Sequence, residues 1–304
     1  MTLTLIQMTL IMACGSGWRL FSPAGLTADQ VRQVLTSVVY YLFLPAMVLE
    51  ILWSADIGIH SLEYTLVGVG GILSSLLIIW IIVRLSKFSR PQAGAIILAA
   101  SFPNVTYLGL PVLEQVFGNW ARSVAIQLDL FAASPLVFTI GIMIARHYGK
   151  DEGGEHSPLL SFLNTPPFIA AFIAVLLNLN HISSPEWIDG VLKQLSAAVI
   201  PLMLFSLGLA LSWNSFRLKN MPYVIPVILV KLLLMPLCVI EILPYLTMND
   251  EYKIAAVIDM AMPSMVLGII FCDRYKLDSS LYAMAVTVTT LLSILTLPFW
   301  YGVL

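Results

Sequence analysis

Two proline-broken stretches carry the residues best suited to ligand chemistry. The first reads Phe102-Pro103-Asn104-Val105-Thr106-Tyr107-Leu108-Gly109-Leu110-Pro111, and the second Met262-Pro263-Ser264-Met265 with Gly268 beyond it. Both lie inside long apolar runs. Proline lacks an N–H and clashes with the carbonyl four residues earlier, so the freed carbonyls need partners inside the protein or in a wet cavity. If both segments unwind near a membrane midplane and cross, two half-helix N-termini face one centre with unpaired N–H donors and partial positive charge. That geometry suits a carboxylate. Pro103 and Pro263 set the breaks, Asn104, Thr106 and Ser264 are the side chains at hand, and Tyr107 is a lid or stacking surface. The alternative is that both prolines only kink their helices.

Three ionisable residues fall deep in apolar runs: Asp129, Lys231 and Asp259. Charges at such depth are expensive and are functional by default. At about 1.5 Å per residue, Lys231 lies near a midplane and the two aspartates roughly 12 Å in from one face. Asp259 is four residues before Pro263, on the same side of its helix and against the break. An aspartate in a partly dry cavity can carry a proton between two faces of a membrane. Lys231 either pairs with Asp129 or Asp259 or meets an anionic substrate directly; a pair that only locks helices together is the competing expectation. Glu50, Glu114 and Glu241 sit near helix ends and reach water.

The elements that must position these residues are membrane spans. Hydrophobic residues form 59% of the 304 and charged residues 11%, where a soluble domain carries about 25% charged. With a mean hydropathy of +0.93, a soluble domain is excluded. Apolar runs predict an all-α membrane protein with spans at 2–17, 31–53, 62–84, 92–118, 121–146, 162–180, 190–212, 221–246, 252–273 and 279–302. The first has no preceding Lys or Arg and reads as an uncleaved span rather than a leader. Cys14, Cys238 and Cys272 offer neither a disulfide framework nor a metal spacing.

Alternate loops hold eleven basic residues: Arg19, Arg32, Arg84, Lys87, Arg90, Arg146, Lys150, Arg217, Lys219, Arg274 and Lys276. The opposite side holds Arg122, Lys193 and Lys253. The positive-inside rule places the first set in the cytoplasm and both termini outside, in a multi-pass protein of the cell (inner) membrane. A shift of about 160 residues superposes Val31–Glu50 on Val191–Ala210, Ala95 on Ala255 and Pro103 on Pro263. Residues 1–147 and 161–304 thus read as five-helix repeats around a cytoplasmic linker at 148–160. An odd number of helices inverts the second repeat, which is a transporter architecture. The equivalent positions of the two prolines also argue against simple kinks.

The Asn104-to-Gly109-Leu110-Pro111 stretch resembles the Asn-x-x-x-x-Gly-Leu-Pro signature of the auxin efflux carrier family. Leu44-Pro45-Ala46, Met262-Pro263-Ser264, and Thr289-Thr290-Leu291-Leu292-Ser293 with Leu297-Pro298 add to the likeness, which runs from about Gly17 to Pro298. The resemblance implies ten helices in two inverted repeats, divided into a scaffold part and a transport part with crossed helices four and nine. It also implies a permease for small organic acids such as malonate or malate. One position departs: the family often carries Asn four residues after the second proline, and here that residue is Leu267.

The expected function is a secondary active transporter, uniporter or symporter, moving a mono- or dicarboxylate by alternating access. No cofactor is expected beyond a coupling proton or sodium ion. Expected partners are the organic anion, the lipid bilayer and, as an open alternative, a second copy in a homodimer; nucleic acid is not among them. No Walker loop implies ATP. An intramembrane hydrolase is disfavoured because His60, His147, His156 and His181 fall in or beside loops. A channel or sensor of the same fold remains the alternative.

Overall fold

The computed structural model describes residues 2–55, 59–150, 163–211 and 217–304. The linker expected at 148–160 lies outside the described residues from position 151 onward. The described chain is helical. We number the helices α1 (Thr2–Phe21), α2 (Ala28–Ser54), α3 (Ile59–Leu85), α4 (Arg90–Ser101), α5 (Val105–Phe117) and α6 (Ala121–Tyr148). The second half holds α7 (Pro166–Leu179), α8 (Glu186–Ala210), α9 (Leu218–Tyr245), α10 (Asp250–Met260), α11 (Gly268–Arg274) and α12 (Ser279–Val303). Among the described residues, six helices are long and apolar enough to cross a membrane: α2, α3, α6, α8, α9 and α12.

Helix starts follow capping chemistry. Thr27 and Gln30 close a capping box at α2, with the Thr27 N–H donating to Gln30 Oε1 at 2.9 Å. Ser89 and Gln92 do the same at α4. The Asp278 carboxylate accepts from Leu281 N–H at 2.9 Å to open α12. Each cap satisfies amide donors that have no intrahelical partner.

Prolines shape the interior of the helices in a repeated way. Short π turns span Val39–Phe43, Val105–Gly109, Asp129–Ala133 and Val230–Leu234. Each ends two residues before a proline: Pro45, Pro111, Pro135 and Pro236. The residue just before each proline donates five back, as Leu44 does to Val39 O and Ser134 to Asp129 O. The proline has no N–H and its ring pushes away the carbonyl one turn earlier; widening that turn relieves the clash and keeps the preceding carbonyls bonded.

The helices pack as two groups. α1, α2, α7 and α8 lie side by side, and α3–α6 pack with α9–α12. The groups meet chiefly where α8 and α1 touch α5 and where α2 touches α6. The ion pairs and cavities relevant to function lie along this seam.

Candidate functional site

The two expected breaks are present, and they cross. Residues 102–104 separate α4 from α5, and residues 261–267 separate α10 from α11. The extended segments form an antiparallel bridge between Pro103 and Ser264. Asn104 N–H donates to Pro263 O at 2.9 Å, and Met265 N–H donates to Phe102 O at 2.9 Å. These reciprocal bonds satisfy backbone groups that apolar surroundings would otherwise leave unpaired.

The two sides of the crossing are unequal. Asn104 caps α5: its carbonyl accepts from Gly109 N–H at 3.0 Å and Leu108 N–H at 3.3 Å. Its side chain is 1% exposed, and its amide nitrogen Nδ2 has no protein partner. At the second break α12 supplies the partners. Thr289 Oγ1 accepts from Ser264 N–H at 3.2 Å and shares a hydrogen bond with Ser264 Oγ at 3.2 Å. The Tyr282 hydroxyl donates to Met265 O. It reaches that carbonyl over Gly268, where a Cβ would stand 2.1 Å from the Tyr282 oxygen. The second half-helix, α11, has only seven residues and begins four positions after Ser264. The expected pair of matched N-termini is therefore one-sided, with α5 presenting the better one.

A cavity of about 310 Å³ opens beside the first break, between α2 and α7 of one group and the crossing of the other. Asn104, Thr106 and Tyr107, the expected ligand-binding residues, line it together with Asp129, expected as a coupling or charge-pair residue. Tyr40, Ser134, Thr165 and Phe138 line it as well, and those four were not singled out in the sequence. The signal that finds three of the polar ones is proline spacing: Tyr40 and Thr106 are each five residues before a proline that follows a π turn, and Asp129 is six before. Leu267 also faces this cavity. The missing asparagine thus leaves an apolar wall where an amide would stand.

Asp129 is held by two hydroxyls: Thr106 Oγ1 donates to Oδ2, and Ser134 Oγ donates to Oδ1 at 2.7 Å. Asp259 differs in every respect. It is wholly buried, lines none of the cavities described here, and neither carboxylate oxygen has a hydrogen-bond partner. Oδ1 lies against Gly109, where a Cβ would come within 1.9 Å. Lys231 is also wholly buried, and its ammonium donates to Met260 O at 3.1 Å and to the Met235 sulfur rather than to a carboxylate. Ser264, Pro103 and Pro263 build the crossing but do not line the cavity.

A second cavity of about 360 Å³ lies toward the N-terminal end of α6, lined by Glu50, Ser54, Tyr64, Arg122, Gln127 and Tyr252 among others. Arg122 is its central charge. It pairs with Glu50 on α2 at 3.2 Å and with Glu114 on α5 at 3.3 Å, and it donates to Ser196 Oγ on α8. One guanidinium thus ties the two helix groups together.

The chain matches the family described as "Membrane transport protein" over residues 2–301. It is 28% identical over 284 residues to an uncharacterized transporter of Methanothermobacter thermautotrophicus, covering 92% of this chain and 91% of that one. An uncharacterized transporter of Methanocaldococcus jannaschii is 25% identical over 289 residues, covering 92% of each chain. The uncharacterized transporter YfdV of Escherichia coli is 23% identical over 219 residues, 70% of this chain and 69% of that one. With a crossing of two proline-broken helices at its centre and a match along nearly its whole length, the chain belongs to the membrane transport protein family, that of the auxin efflux carriers.

Proposed function

We propose that this membrane transporter is a secondary carrier for a small carboxylate-bearing solute, bound at the crossing and exposed alternately to the two sides of the membrane. The observation that carries the reading is Asn104. A buried amide nitrogen without a partner is costly, and Asn104, which carries this one, belongs to the lining of a cavity at the N-terminus of α5. A carboxylate oxygen supplies the missing acceptor and meets the positive end of the half-helix.

The packing supports a scaffold and a transport part. The first group holds α1, α2, α7 and α8, the first two helices of each half under the shift of about 160 residues. In this reading α4 with α5, and α10 with α11, each form one broken span. The protein then has ten spans in two inverted repeats, with both termini outside the cytoplasmic (inner) membrane. With that orientation the 310 Å³ cavity, lined from the first half of α2, faces the cytoplasm, and the 360 Å³ cavity, lined from the end of α2, faces the outside. Asp259, sealed beneath Gly109, takes the coupling role, and a proton is the ion a lone carboxylate can carry without further ligands.

The test is uptake into proteoliposomes with a panel of radiolabelled carboxylates. Saturable uptake is expected, reduced at least tenfold in Asn104→Ala. Uptake unchanged by that substitution removes the site assignment, and flux that neither saturates nor concentrates identifies a channel instead.

A further inference from the structure

The charge of the cavity is at odds with a substrate that is only an anion. Among the described residues no Lys, Arg or His lines the 310 Å³ space; its one charged side chain is Asp129. Lys231, the basic residue deep in the transport group, is wholly buried and bonded to a backbone carbonyl, so it lends the cavity no ammonium. Asp129 itself is partly exposed to the space, while Asp259 is sealed from it. Its two oxygens each accept one hydroxyl proton, from Thr106 and Ser134, and each keeps a second lone pair. Asn104 and Asp129 are brought to one wall because Thr106, two residues after Asn104, is the hydroxyl that holds Asp129. The lining therefore joins Asn104, whose buried amide nitrogen lacks a partner, at the α5 N-terminus with Asp129, an acceptor of negative charge.

A dicarboxylate placed here has one carboxylate at Asn104 and no cationic side chain in the cavity lining for the second, which adds to the charge already on Asp129; Arg32, whose charge is felt at Tyr107, lies outside that lining. Two like charges at such range in a poorly hydrated space repel strongly. A solute with both a carboxylate and an ammonium satisfies both ends. Tyr40 and Tyr107 stand in the same lining, and aromatic rings attract ammonium groups. Leu44, Phe138, Leu267 and Ile270 leave room for an apolar body.

We propose that the substrate of this site is a zwitterionic amino acid with an apolar side chain, its carboxylate at Asn104 and the α5 N-terminus and its ammonium at Asp129. The proposal rests on the crossing being the binding site. It names Asp129 as a specificity-determining residue and Leu267 as part of the side-chain pocket.

Matched compounds test it: L-leucine against 4-methylpentanoate and L-phenylalanine against 3-phenylpropionate, with malonate and succinate as dicarboxylates. Binding is read by thermal shift of the detergent-purified protein and by uptake into proteoliposomes. The amino compounds are expected to half-saturate at least tenfold lower than their des-amino partners, and the dicarboxylates to bind least. Asp129→Asn keeps the shape; one hydroxyl still donates to the amide oxygen, and the other turns to accept from the amide nitrogen. It should weaken the amino compounds at least tenfold while leaving the des-amino acids unchanged or tighter. Asn104→Ala should weaken both members of each pair alike. A wild-type preference for the des-amino acids, equal weakening of both classes by Asp129→Asn, or no shift with any amino compound overturns the proposal. Retention of all binding in Asn104→Ala overturns instead the placement of the site, so the two failures are distinguishable.

Discussion

At the level of single residues, the two aspartates show how alike two positions look in sequence and how unlike they are in space. Both are acidic residues well inside apolar helices, and sequence marks both. Only three-dimensional packing separates them, because helices apolar on nearly every face give no periodicity from which to read the wet side. Asp129 opens into a cavity with two hydroxyl donors, whereas Asp259 is sealed with neither oxygen bonded. An ionised carboxylate in Asp259's position costs several kcal/mol unless a charge or a proton compensates it. Lys231 serves the neighbouring Met260 carbonyl, at the C-terminal end of α10 where a cation is favourable. Asp259→Asn separates the coupling role from packing, because asparagine keeps the side-chain volume that lies against Gly109. If Asp259 carries the coupling proton, the variant should lose accumulation driven by a pH gradient. Counterflow exchange of labelled substrate should stay within about twofold, less than 1 kcal/mol of effect. Equal loss of accumulation and exchange assigns the residue to packing or binding.

The elements were legible where proline meets another breaker and obscure where it stands alone. Pro103 with Asn104, and Pro263 with Gly268 beyond it, announce the crossing, and the Pro103–Ser264 bridge is the crossing itself. Pro45, Pro135 and Pro236 sit inside continuous helices, and sequence alone does not say whether such a proline bends, breaks or widens the turn before it. In each case it widens the turn, and Tyr40, Asp129 and Lys231 lie in the π turns that result. The widened turn re-aims side chains relative to a regular helix, so periodicity fails at the residues that build the site. The second break was legible as a break but not as a half supported from outside. Its loss of asparagine at Leu267 is matched by polar contacts from α12, Tyr282 to Met265 O and Thr289 to Ser264. Tyr282→Phe leaves a buried carbonyl without its donor, a loss of about 1–3 kcal/mol. The expected result is a lower apparent melting temperature in detergent and weaker uptake. Thr106→Val, which strips a hydroxyl from the cavity wall instead, should leave more of the stability intact. Identical melting of Tyr282→Phe and wild type removes α12 as the support of the second break.

For the whole molecule, the seam between the two helix groups decides whether the fold can work as a carrier. Cavities of about 310 and 360 Å³ lie along it, one reached by Asn104 and Asp129 and the other by Gln127 and Arg122. Apolar packing would hold such a seam shut uniformly; polar cavities and a few charged contacts make it a surface that can be remade. Arg122 and Glu114 belong to the group of α3–α6 and α9–α12, while Glu50 and Ser196 belong to the other group. Rigid-body rocking of one group on the other keeps the Arg122–Glu114 pair and must break Arg122–Glu50. Paired cysteines follow directly, in a background with Cys14 and Cys238 replaced by serine; Cys272 is buried and stays. Glu50→Cys with Arg122→Cys, joined by a short thiol-reactive cross-linker, ties the groups together and should abolish net uptake relative to the same variant before cross-linking. Glu114→Cys with Arg122→Cys, joined by the same reagent, ties residues within one group and should leave most of the uptake of its own uncross-linked form. Equal behaviour of the two pairs means that the groups do not move apart at this seam, and alternating access would then require a different boundary.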